Sequence, residues 1–100
     1  MSIKTAVATV LKALRRARGL SQKDLAEVSS RTYVSKLERA QSSPTLEMMA
    51  TLSTPLGVSP LTLVAITIGT DTGQPIRSLM RRLEAEVAEL TAAGVLKEPV

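Results

Sequence analysis

Cysteine and histidine are both missing from this 100-residue chain. Without cysteine there is no disulfide and no thiolate metal site. Without histidine the commonest acid-base group and metal ligand is gone as well. Aromatic residues are nearly absent, since Tyr33 stands alone beside no tryptophan and no phenylalanine. Single-stranded nucleic-acid binding needs several rings on which bases stack, so composition argues against it. No glycine-rich loop is present to cradle a phosphate, and no two carboxylates are spaced to converge in a cleft. Ser29 and Ser30 have no candidate base beside them and read as turn and cap residues. The expectation is therefore no enzyme, no catalytic residue, no cofactor and no metal. No apolar run approaches the roughly 18 residues that a membrane span needs. Lys4, Lys12 and the following arginines interrupt the stretch where a signal peptide would carry its apolar region. A cytoplasmic protein with no membrane partner is expected.

What is present is aliphatic and basic. Hydrophobic residues make up 44% of the chain, almost all Ala, Val, Leu, Ile and Met, a mix that favours helices over sheet. The methionines Met48, Met49 and Met80 read as core filler. Net charge is +4. Residues 1–50 hold nine basic against four acidic side chains, whereas residues 51–100 hold four against five. The basic excess of the first half is the electrostatic footprint of a polyanion-binding region.

Taken in order, a helical pattern runs from about Thr5 to Arg18, with Val7, Val10, Leu11, Leu14 and Ala17 inward and Gly19 at the stop. Ser21 can cap a second short helix, with Asp24 in the capping-box position and Leu25 and Val28 inward. A third opens at Ser30, burying Val34 and Leu37 and pointing Arg31, Thr32, Ser35, Lys36 and Arg39 outward. Two short helices of this kind are the layout of a helix-turn-helix, or else two amphipathic helices with an ordinary solvated face. After a loop over 40–44, Thr45 caps a fourth helix to about Leu56, with Leu46, Met49, Leu52 and Leu56 inward. Pro55 should fray or kink its last turn. Ser59 and Pro60 begin a fifth helix that runs to about Ala65, while the β-branched Ile66–Ile68 suits helix or strand. Residues 69–74 read as a linker. From Pro75 to Ala93 a last helix carries the stripe Ile76, Leu79, Met80, Leu83, Val87 and Leu90. That stripe must bury against its own domain or against a second chain.

Leu14-Arg15, Gly19-Leu20-Ser21-Gln22, Asp24-Leu25-Ala26-Glu27, Ser35-Lys36-Leu37-Glu38 and Ser43-Pro44-Thr45-Leu46 resemble the Cro/lambda-repressor-type (XRE) helix-turn-helix domain. Leu56-Gly57-Val58 and Ser59-Pro60-Leu61 continue the match, so it covers roughly residues 5–66. The resemblance implies an all-α fold: a five-helix lambda-repressor-like DNA-binding domain over 1–68, followed here by a C-terminal amphipathic helix over 75–94. It implies a homodimer on a two-fold symmetric double-stranded operator, most often as a repressor. Carried over by position, Arg31, Thr32, Ser35 and Lys36 fall where the family reads base edges. Gln22, Arg39 and Ser42 fall where it touches the DNA backbone, and Tyr33 is read as half core, half phosphate contact. Arg15 and Glu38 fall where it places an ion pair between its first and third helices, although a basic-patch reading would count Arg15 as a DNA contact. Three features depart from the pattern. The junction from Glu27 to Arg31 is about two residues shorter and has Ser29 and Ser30 in place of glycine. Ala40 stands where a glycine is usual, and Pro55 enters the fourth helix.

Ile76, Leu79, Leu83, Val87 and Leu90 are the expected dimerisation residues. The competing reading is a helix-turn-helix-fold interaction module, antitoxin-like or polymerase-binding, whose last helix takes a protein partner.

Overall fold

Serine and threonine caps set the helix starts. In this computed structural model, which describes residues 2–97, Ser2 caps α1 (Ile3–Ala17), Ser21 caps α2 (Gln22–Leu25) and Ser30 caps α3 (Arg31–Glu38). Thr45 caps α4 (Leu46–Leu56) and Ser59 caps α5 (Pro60–Thr72), whose first residue is a proline with no amide to lose. Helix α6 (Ile76–Ala92) follows Pro75 with no side-chain cap. No strand occurs among the described residues, so the architecture is all-α.

The core is aliphatic. Val7, Val10 and Leu11 from α1 meet Leu25, Val34, Leu37, Met49, Leu52, Leu56 and Leu63 from the next four helices. Burying a leucine or valine contributes about 1.5–3 kcal/mol, so these ten positions are the main term holding α1–α5 together.

Several expectations need correction. Val28 is 41% exposed rather than inward. Helix α2 tightens after Leu25 into a single 3-10 turn over Ala26–Val28, and the shortened junction carries Val28 out at its end. Leu46 is 73% exposed, because it is the first residue of α4 and lies outside the packed turns. Ala17 is exposed too, being too short to fill the open groove between the end of α1 and Thr70. Helix α4 runs to Leu56 and stops at Gly57 in the left-handed conformation, as expected, with Pro55 inside its last turn.

The largest difference lies in α5. It continues through Ile66–Ile68 and on through Gly69–Thr72, taking four residues from the stretch expected as linker. Thr67, Thr70 and Thr72 each return their hydroxyl to the carbonyl four residues back, at 2.8, 2.8 and 2.9 Å. This bond lets threonine sit in a helix despite its branched Cβ. Only Gly73, Gln74 and Pro75 then separate α5 from α6. Gly69 is a close-approach position and no hinge. A Cβ there would stand 3.2 Å from both the Gln74 carbonyl oxygen and Ile76 Cδ1. Helix α6 therefore folds back onto α5 at its start, yet none of its residues is buried.

Candidate nucleic-acid interface

Helix α3 is short, and its surroundings determine what it shows to solvent. Val34 and Leu37 anchor it in the core, and Tyr33 is half-buried against the same cluster. Arg31, Thr32, Lys36 and Arg39 are exposed and Ser35 is half-buried. At about 100° per residue, these five side chains occupy one continuous arc opposite the anchors. Ser30 Oγ accepts the Tyr33 amide at 3.1 Å and fixes the helix start. Arg39 Nε donates to the Ser35 carbonyl at 3.3 Å, so this guanidinium lies back along its own helix. Ser42 is half-buried in the loop beyond.

The one carboxylate on α3 is turned inward. Glu38 accepts from Arg15 Nε at 2.6 Å and from Arg15 Nη2 at 2.8 Å, a two-pronged pairing across α1 and α3. The other terminal nitrogen, Nη1, donates to the Leu20 carbonyl at 2.8 Å. The side chains of Arg15 and Glu38 are 11% and 2% exposed, so Arg15 is a brace and does not belong to the outer basic surface. Gln22 Nε2 also donates to Glu38 Oε1, at 3.1 Å. The first residue of α2 is thereby tied to the end of α3. Burial pushes the Glu38 pKa up. Hydrogen bonds from Arg15 and Gln22, with the charges of Arg15 and Lys12, outweigh that and hold the carboxyl below its ordinary 4.5. Arg15 is raised in turn, chiefly by its hydrogen bond to Glu38. At the start of α2 Asp24 accepts the Ser21 amide at 2.7 Å, and Ser21 Oγ accepts the Asp24 amide at 3.1 Å. That box lowers the Asp24 pKa, first through the backbone hydrogen bond.

Two roles were not legible from spacing. Arg18 reaches α4, donating from Nε to the Leu56 carbonyl at 2.9 Å and from a terminal nitrogen to the Gly57 carbonyl at 3.5 Å. It serves the carbonyl-rich end of α4, where a cation is favoured. Gln22, aligned with a DNA-backbone contact, spends one amide N–H inside the protein. The other N–H and the amide oxygen remain for a ligand. Neither partner sits near in sequence, and only the folded chain pairs them. The stripe residues Ile76, Leu79, Leu83, Val87 and Leu90 lie on α6, away from this surface, and each is exposed or half-buried.

The helix-turn-helix family profile matches residues 11–63, the segment that holds α2, α3 and their braces. Two solved structures of the clp gene regulator ClgR from Corynebacterium glutamicum share the fold. One is 27% identical with a TM-score of 0.63, covering 71% of this chain and 94% of that one. The second is 23% identical with a TM-score of 0.64 and covers 96% and 98%. No curated protein matches the sequence.

Proposed function

The chain belongs to the helix-turn-helix family of the XRE type, and on that premise we propose that it binds a specific double-stranded DNA site as a homodimer and represses transcription in the cytoplasm. Both the family and the ClgR gene-regulator neighbours support DNA-binding transcription regulation. The observation that carries the proposal of specific binding is the outward face of α3. Its only acid is buried and neutralised by Arg15, so the face offers phosphates and bases only cationic and hydroxyl groups. Arg31 and Lys36 suit the O6 and N7 acceptors of guanine, and Thr32 and Ser35 can meet thymine or an acceptor. Gln22, Tyr33, Arg39 and Ser42 hold the backbone and set the register. Helix α6 joins two copies, since none of its stripe is fully buried within one chain.

Selection of bound sites from random duplex DNA tests this reading. The expected product is a two-fold symmetric site with half-sites about 34 Å apart, one DNA turn, and with affinity that falls steeply with salt. An exposed α6 also suits a partner-binding adaptor. Failure to enrich any site, with binding insensitive to salt, would favour that reading.

A further inference from the structure

Helix α5 covers only part of the apolar surface of α6, and we propose that α6 of a second copy covers the rest, running antiparallel about a two-fold axis at Leu83. This rests on the reading that α6 holds the dimer, and adds the direction and register. The charge distribution carries it. Arg77, Arg81 and Arg82 fall in the first half of α6, and Glu84, Glu86 and Glu89 in the second. Parallel copies would set like charges at equal heights, whereas antiparallel copies set each basic half beside an acidic half.

The apolar positions have the same symmetry. Reflected about Leu83, Ile76 falls at the height of Leu90 and Leu79 at the height of Val87, while Leu83 meets itself. A surface that matches its own reflection is what an isologous interface requires. The structure supplies the seat, a groove walled by Leu61 and Ala65 of α5 and by Leu79 and Leu83 of α6. Arg82 and Glu86 line the same groove. Within one chain they stand 3.5 Å apart and are both more than half exposed, so either can change partner. Across the axis, Arg82 lies about 3 Å in height from Glu86 of the second copy at 1.5 Å rise per residue.

The chain has no cysteine, so an introduced thiol reports only its own position. Full-length Ile76→Cys and Leu90→Cys, mixed and oxidised mildly, should give the mixed disulfide dimer as the main product. Neither variant should link to itself, because equal positions would be about 21 Å apart along the axis. A disulfide spans Cα atoms only up to about 7 Å apart. Ile76→Cys linking to itself would mean parallel helices and overturn the proposal. Leu83→Cys separates the underlying reading from the register. Its self-linking without a 76–90 link overturns the antiparallel direction and leaves dimerisation through α6 standing. A Leu83→Cys protein that does not link and sediments as a monomer overturns dimerisation through α6 as well.

Discussion

Glu38 shows how one side chain can serve fold and surface together. Truncating one partner of a buried pair strands the other, at a cost of about 3–5 kcal/mol against 0–1 for an exposed pair. Arg15→Ala and Glu38→Ala should each melt well below the parent, and the double mutant should lose less than the two losses added. Additive losses would contradict the pairing. The folded Glu38 pKa is depressed, so its contribution is present above the ordinary 4.5 and is lost as pH falls through the lower folded value. Glu38→Gln should therefore flatten the acid limb of stability against pH, and an unchanged limb would contradict this assignment. Ala40 carries backbone strain. It ends α3 with φ at 58°, and the Gln41 amide closes onto the Lys36 carbonyl at 2.9 Å. Left-handed backbone costs an L residue about 1–2 kcal/mol, against the roughly 0.4–1 kcal/mol of unfolded-state entropy that glycine brings. Ala40→Gly should thus raise the melting temperature by a few degrees. A lower value would mean the strain is absorbed elsewhere.

At the level of helices, legibility followed the locality of the signal. Caps and stops lie within three or four residues of one another, so Ser21, Ser30, Thr45, Ser59, Gly19 and Gly57 could be read directly. The end of α5 could not. Gly69, Thr70 and Thr72 have the composition of a linker, and their helical state depends on threonine back-bonds and on α6 folding over Gly69. Arg18 shows the same limit, since its carbonyl partners lie nearly forty residues on. Helix α6 carries its own test, because its stripe needs a second surface. Leu83→Arg places a charge at the middle of that stripe and should split the proposed dimer while circular dichroism stays helical, since α1–α5 keep their own core. Operator affinity should fall sharply and weak non-specific binding survive. A variant that stays dimeric with full operator affinity would place the interface elsewhere, and one that unfolds outright would show α6 essential to its own domain.

Across the whole molecule, charge and packing divide the labour. The basic excess lies in residues 1–50 with α1 to α3, and the near-neutral second half supplies the rest of the core and the α6 stripe. That division was visible in the order of residues alone. The resemblance marked Arg15 as the partner of Glu38, but nothing in the order of residues marked Arg18, which differs from Lys36 only in the carbonyls the fold brings to it. We propose that the free cations on α3 read DNA. The most direct test is the affinity of Lys36→Ala for the selected operator and for a scrambled duplex at one salt concentration. Lys36→Ala should lose about 5- to 150-fold on the operator, equivalent to 1–3 kcal/mol, with relaxed preference at one position of each half-site and only a small loss on the scrambled DNA. Equal losses on both would contradict base reading by Lys36 and reduce it to a phosphate contact.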